Sequence, residues 1–299
     1  MRTQPSQSSS FSERASDSEK GKPFKTQLLK WVGNKQRVAH EIVSHFTKQF
    51  KTYHEPFLGS GAVLGTLMPE KAIASDSFRP LIEIWQTLHD SPDTLKKWYR
   101  ERWEAVKNGD KVNEYERVKA NYNAHPNAAD LLFLSRSCYG GVVRFRQIDG
   151  HMSTPCGIHE PISPESFSQR VDEWRRRTTG TNFFHREYEE TMNLAEEGDL
   201  VYCDPPYTFS QSILYGAQSF DLANLFEVIL RCKQRGVYVA LSIDGTKKSG
   251  SFVCNIQIPD GLFERELSVN CGRSMLRRFQ MNGKTLESEV VSDRLFLTY

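Results

Sequence analysis

The chain has 299 residues, 38% of them hydrophobic and 11% aromatic, enough for a sizeable core and too apolar for an unfolded chain. Lys and Arg number 39 against 37 Asp and Glu, a formal net charge of +2, so no global field draws the protein to an acidic polymer. No run approaches about 18 consecutive apolar residues, which excludes a transmembrane helix and predicts a soluble protein.

Residues 1–20, MRTQPSQSSSFSERASDSEK, are Ser-rich and lack an apolar stretch, so no export signal is read there. Residues 1–22 are expected to be a disordered tail. Residues 38–50 carry Val38, Ile42, Val43 and Phe46 at helical spacing. Within that segment His40 and His45 are five apart, about 140° out of line on a helix, so HEIVSH does not form a zinc pair. The six cysteines (Cys138, Cys156, Cys203, Cys232, Cys254, Cys271) are scattered without a CxxC pair. That usage predicts the reducing cytoplasm, no disulfides and no metal.

EPFLGSG (55–61) reads as a strand end running into a glycine turn, and residues 62–68 as the helix it opens. KAIASD (71–76) reads as a second strand, and residues 80–88 as the next helix. This is a βαβ pattern of the nucleotide-binding kind. Gly59 and Gly61 stand at G-x-G spacing without the third glycine of the dinucleotide fingerprint, and would let the backbone pass close to a ligand. Asp76 ends the second strand, where a carboxylate can bind both hydroxyls of a ribose. Upstream, KWVGNK (30–35) offers Trp31 as a face for a sulfonium or an adenine ring and Lys35 as a partner for a carboxylate.

Residues 90–179 change character. Charged helical segments at 94–108 and 112–122 precede a loop-rich run at 138–164, which reads as an inserted helical subdomain. Strand signals resume at 199–203 (DLVYC), 237–242 (VYVALS), 266–270 and 294–299 (RLFLTY), the last two expected to pair. The predicted fold is α/β, its core formed by residues 23–89 and 180–299 and interrupted by the insertion.

The most informative tetrapeptide is Asp204-Pro205-Pro206-Tyr207, directly after the strand VYC. Two consecutive prolines continue neither a sheet ladder nor a helix, so they fix an extended turn at a strand end, where open α/β sheets place ligand chemistry. Asp204 and the Pro205 carbonyl are then two acceptors converging on one point, which suits an amino group. The exocyclic amine of adenine or cytosine is a poor nucleophile, because its lone pair is delocalised into the ring. Two hydrogen bonds accepted from its protons favour a pyramidal nitrogen and stabilise the positive charge that develops on attack. Tyr207 would supply a flat face for a base rotated out of a duplex.

Together these motifs resemble the Dam-like DNA adenine-N6 methyltransferases, over residues 28–299. KWVGNK is similar to the family's N-terminal cofactor motif, EPFLGSG to its glycine motif, ASD (74–76) to its ribose-binding motif and DPPY to its catalytic motif. The resemblance implies a Rossmann-like methyltransferase sheet, mostly parallel with an antiparallel C-terminal strand, and a target-recognition subdomain at 90–179. It implies S-adenosyl-L-methionine as cofactor, held by Trp31, Lys35, Pro56, Phe57, Gly59, Gly61, Asp76 and Asp204. Asp204, Pro205, Pro206 and Tyr207 would hold the flipped adenine, and residues 241–244 would lie near it.

CYGGVVRFR (138–146) is similar to the stretch that enters DNA. By that resemblance Tyr139, Gly140, Val142, Arg144, Arg146, Pro155 and Arg273 would meet double-stranded DNA, with Arg144 reading a guanine and Pro155 approaching a thymine methyl. Gly140 and Arg146 depart from the family's usual Asn at both places, and residues 147–157 run about one residue longer. The implied target is GATC or a related short site, read by a monomer in the bacterial nucleoid or a phage-infected cell, alongside a cognate restriction endonuclease. Cytosine-N4 methylation needs the same amine activation, although its enzymes more often begin the tetrapeptide with Ser. A DNA-binding protein with a vestigial cofactor site and an NAD oxidoreductase are the other readings.

The near-neutral charge is unevenly distributed. Residues 134–146 hold Arg136, Arg144 and Arg146, and residues 271–284 hold Arg273, Arg277, Arg278 and Lys284, neither run containing an acid. Both are expected beside phosphate, as a local basic groove.

Overall fold

The structure, a computed structural model, describes residues 17–206, 220–247, 252–253, 256–273 and 290–299. In chain order the elements are α1 (Ala39–Ser44), β1 (Tyr53–Glu55), α2 (Ala62–Leu67), β2 (Ala72–Asp76), α3 (Arg79–Asp90), α4 (Pro92–Asn108), α5 (Lys111–Ala124), α6 (Ala128–Ser137) and α7 (Pro164–Arg177). There follow β3 (Thr181–His185), α8 (Tyr188–Asn193), β4 (Leu200–Cys203), α9 (Leu222–Gln234), β5 (Tyr238–Lys247), β6 (Phe252–Val253), β7 (Arg265–Arg273) and β8 (Val290–Leu297).

The strands form one twisted sheet in the order β3-β2-β1-β4-β5-β8-β7, with the short β6 beside β5. β3, β2, β1, β4 and β5 run parallel, whereas β8 is antiparallel to both β5 and β7. The order reverses between β1 and β4, the point at which open α/β sheets leave a crevice beyond the carboxyl ends of the strands. Glu55 ends β1 and Asp204 follows β4, so the two principal motifs flank that crevice. β8 enters the sheet from the same end, and an antiparallel strand brings its first residues, not its last, to the crevice.

The expected strands and helices of the core are present, with shifted ends. α1 stops at Ser44, whose hydroxyl donates back to the Glu41 carbonyl at 2.6 Å, so the helix is far shorter than the apolar spacing over residues 38–50 predicts. α6 escapes a periodicity reading because all ten of its residues are buried, and a helix buried all round has no polar face.

The insertion shares its core with the sheet. Trp174 of α7 packs edge-on against Trp85 of α3 at 5.3 Å and against Phe24 at 5.4 Å. A Cβ at Gly65 of α2 would come within 2.5 Å of the Trp174 ring, so α2 and α7 meet at a glycine. The N-terminal segment is tied down from residue 17 onward, inside the stretch expected to be disordered. Asp17–Glu19 forms a 3-10 turn, Glu19 pairs with Arg176 at 2.6 Å and the Gly21 amide donates to the Thr66 carbonyl at 2.9 Å.

Arg136 is a correction to the basic-groove reading. Its side chain is buried, and it donates to the Gln27 and Leu28 carbonyls at 3.0 and 2.9 Å. Burial lowers its pKa to about 10. Arg170 and Trp174 bind the neighbouring carbonyls of Gln27 and Thr26, so α6 and α7 together clamp the chain just ahead of KWVGNK. Arg277, Arg278 and Lys284 lie outside the described residues.

Candidate active site

A cavity of about 1030 Å³ opens at the crevice, lined by residues 31–35, by 55–60 after β1, by 76–78 after β2, and by Asp204 and Pro206 after β4. The insertion closes one side with Tyr122, Asn123 and residues 145–147 and 149–151. One chain thus brings the cofactor-motif residues and the DPPY aspartate to a single space, with the recognition loop over it.

The turn after β1 is shaped by its glycines. Gly59 and Gly61 adopt φ of +48° and +64°, the left-handed region that side chains disfavour. A Cβ at Gly59 would lie 3.2 Å from Trp31 Cδ1, and one at Gly61 3.0 Å from the Trp85 ring. The turn is pinned where the Leu58 amide meets the Ser75 carbonyl at 2.9 Å and Trp85 Nε1 meets the Gly59 carbonyl at 3.1 Å. Asp76 accepts from the Gly59 amide on one oxygen and from the Phe78 amide on the other, both at 3.0 Å. Burial raises its pKa, and these two amides oppose the rise. Each oxygen keeps a lone pair for a further donor.

Trp31 is almost fully buried and stacks on Phe78, centroids 5.9 Å apart and planes at 29°. Phe78 in turn meets Phe145 of the recognition loop edge-on at 5.5 Å, and Phe145 meets Tyr122 at 6.3 Å. Across the cavity Phe57 stacks on Tyr188 at 5.1 Å, with Phe220 against both rings. Phe78, Tyr188 and Phe220 were not singled out from sequence. Phe78 follows Asp76 by two residues and could have been; nothing local marks the other two.

Lys35 sits between two protein carboxylates. Its ammonium lies 2.7 Å from Asp204 Oδ1 and 3.5 Å from Asp293 Oδ2, and donates to the Gly33 carbonyl at 3.3 Å. The carboxylate partner expected for Lys35 is thus found within the protein, and the lysine also lines the cavity. Burial disfavours its charge, but Asp204 and Asp293 more than offset that and hold its pKa well above the ordinary lysine value. Glu55, also in the cavity wall, is buried and hydrogen-bonded by Tyr53.

Pro205 is buried and Pro206 lines the cavity. Tyr207 and the side chain of Arg273 lie outside the described residues; Arg273 itself pairs with Val290 at the end of β7. Of the predicted DNA contacts, Tyr139, Gly140, Arg146 and Pro155 are exposed and Arg144 is half-buried. Val142 is a correction: its side chain is buried, and its carbonyl accepts from Thr154 Oγ1 at 2.8 Å, so it packs the base of the loop. Arg146 is engaged by Asp149 and His151 at the hairpin turn. The Tyr139 amide donates to the Pro155 carbonyl at 2.8 Å, which sets these two residues side by side.

The family pattern of the D12 class N6 adenine-specific DNA methyltransferases matches residues 31–260. The chain belongs to that family. Among its relatives, the Retron Ec67 DNA adenine methylase of Escherichia coli is 28% identical over 256 residues, covering 83% of this chain and 87% of that one. The type II methyltransferase M1.LlaDCHI of Lactococcus lactis subsp. cremoris is 24% identical over 238 residues, covering 72% and 80%. The DNA adenine methylase of Escherichia coli K12 is 26% identical over 255 residues, covering 82% and 90%. This chain is accordingly an adenine-specific DNA methyltransferase, and its mixed sheet is the methyltransferase sheet that the motif order implied. No described helix is long and apolar enough to cross a membrane.

Proposed function

We propose that this methyltransferase uses S-adenosyl-L-methionine to methylate N6 of an adenine rotated out of a short duplex site, GATC or a relative of it. It would act as a monomer in the bacterial nucleoid or an infected cell, paired with a cognate restriction endonuclease. The observation that carries the reading is the single cavity shared by the Asp76 turn, Trp31 and Asp204. Pockets that bind one drug-sized ligand span roughly 300–1,000 Å³, and at about 1030 Å³ this cavity stands at the upper end, as a site shared by a cofactor and an extruded base requires. The type II relative's name supports the endonuclease partner.

The residues present fit the cofactor. Asp76 has lone pairs free of its two amide contacts for ribose hydroxyls, and Trp31 and Phe78 offer stacked aromatic surface beside them. The bound cofactor would supply an electrophilic methyl on sulfur. Lys35 keeps Asp204 ionised and therefore acceptor-only, so the carboxylate takes a hydrogen bond from the adenine amino group and stabilises the positive charge arising on nitrogen. The proton lost from that nitrogen passes to Asp204 or to water. The turn of Pro205 and Pro206 fixes the carboxylate at the mouth of β4.

One experiment tests the whole reading: methylation of mixed-sequence DNA by the purified protein with S-adenosyl-L-methionine, with modified adenine read along the product. Modified adenine at one short recurring site is expected. Methylated cytosine, or no product, would overturn it. Asp204→Ala is expected to abolish transfer while DNA binding persists.

A further inference from the structure

The buried acid on the C-terminal antiparallel strand has no part in the mechanism above. Asp293 lies in β8, in register with Asp244 of β5 and Val269 of β7, with its side chain only 8% exposed. From there it reaches Lys35 at 3.5 Å, on the ammonium that binds Asp204 at 2.7 Å. Two carboxylates thus share one cation, and the group keeps one net negative charge. We propose that Asp293 is a positioning residue for methyl transfer, orienting Lys35 on Asp204 and leaving the trio the negative charge that opposes the cationic nitrogen.

The geometry argues for this arrangement over a simple ion pair. A lysine paired with Asp204 alone would neutralise it and weaken it as an acceptor and counter-charge. An ammonium drawn also toward Asp293 and the Gly33 carbonyl orients Asp204 without cancelling it. Such a lysine has little rotational freedom, because its three protons have three acceptors around it. Asp204 arrives after the parallel strand β4, whereas Asp293 arrives near the start of the antiparallel β8. Among the described residues, the other titratable groups that feel the trio include Cys271 of β7, Tyr202 and Cys203 of β4, and Glu55 of β1. The Cys271 thiol, next to Asp293, is pushed up by burial and further by Asp293 itself. The Tyr202 hydroxyl donates to Ser242 at 2.9 Å, and burial with the nearby carboxylates holds it protonated. None of these adds charge at neutral pH: burial likewise keeps the Cys203 thiol protonated and raises the Glu55 pKa to about 8.

The inference rests on the methyl-transfer reading above, and the test keeps the two apart. Methyl transfer by the wild-type protein decides the reading itself. Asp293→Asn decides the positioning role: DNA and cofactor binding should hold within about twofold, while kcat falls about tenfold. A like charge sharing a site raises the pKa of the carboxylate beside it. Its removal should therefore lower the Asp204 pKa, followed by carbon-13 carboxyl resonances, and move the acid limb of the rate profile down by about one unit. Asp293→Glu, which restores the charge, should return the limb toward its original pH. An unmoved Asp204 titration with an unchanged kcat would overturn the role. If Asp293→Asn does not fold, the wild-type titration decides: two acids on one ammonium titrate as coupled steps, and independent single titrations would refute the arrangement.

Discussion

Tyr53 donates its hydroxyl proton to Glu55 Oε2 at 2.7 Å, with both side chains buried at the end of β1. Burial pushes the Glu55 pKa up to about 8; the charge on Asp204 adds to the rise and the Tyr53 hydrogen bond opposes it. Folded Glu55 holds its proton through neutral pH, whereas in the unfolded chain it ionises near 4.5. Its stabilising contribution is complete below the unfolded pKa and is lost as pH rises through about 8. In that window stability should fall by up to about 1.4 kcal/mol per pH unit from this group. Glu55→Gln should flatten that slope and make the protein more stable than wild type in mild alkali. Denaturant unfolding of both proteins across the window checks this, and equal slopes would show that Glu55 does not titrate there.

Gly59→Ala combines two costs. A left-handed φ of +48° costs an L-residue about 1–2 kcal/mol, and the new Cβ presses on Trp31 Cδ1 at 3.2 Å. Gly261 has φ of +71° with nothing within 4 Å of an added Cβ, so Gly261→Ala carries the backbone cost alone. Both variants should melt lower. Only Gly59→Ala should also weaken S-adenosyl-L-methionine binding, by displacing the Trp31 face, and calorimetric titration separates the two. Equal cofactor affinity in both variants would show that Trp31 does not shape the cofactor site.

The strand-end motifs were legible because their chemistry is local. Gly59 and Gly61 declare a turn, Asp204-Pro205-Pro206 declares a strand end, and Asp76 closes an apolar strand. α6 was not legible, since burial on every side removes the polar face that periodicity needs. Asp293 was equally hidden. Its place at the site depends on the register of β8 with β5, which no neighbouring residue encodes. Arg136 shows the converse: a basic run reads as a phosphate surface until packing turns one of its arginines inward to cap backbone carbonyls.

Arg136→Met therefore tests fold, not DNA affinity. Removing the guanidinium leaves the Leu28 carbonyl without its buried donor, at about 1–3 kcal/mol, while the Gln27 carbonyl keeps Arg170. It also frees the chain ahead of Lys35. Thermal unfolding should drop clearly, while the salt dependence of DNA binding by the folded fraction stays as in wild type. A shallower salt dependence would return Arg136 to the phosphate surface.

Arg144 stands half-buried on the recognition loop. Its amide donates to Thr154 Oγ1 at 2.9 Å, and Thr154 is itself buried and bonded to the Val142 carbonyl, so the loop backbone is fixed beneath the side chain. The adjacent Phe145 packs on Phe78 at 5.5 Å, which joins the loop to the cavity wall. A guanidinium delivered from a rigid backbone suits bidentate contact with the two acceptors on a guanine edge. Arg144→Ala should cost about 1–3 kcal/mol at one base pair and relax discrimination there, with other positions unaffected. Methylation rates on a set of duplexes altered one pair at a time give the answer. A loss uniform over all sequences, with the slope of log affinity against log salt reduced by about one, would instead make Arg144 a phosphate contact.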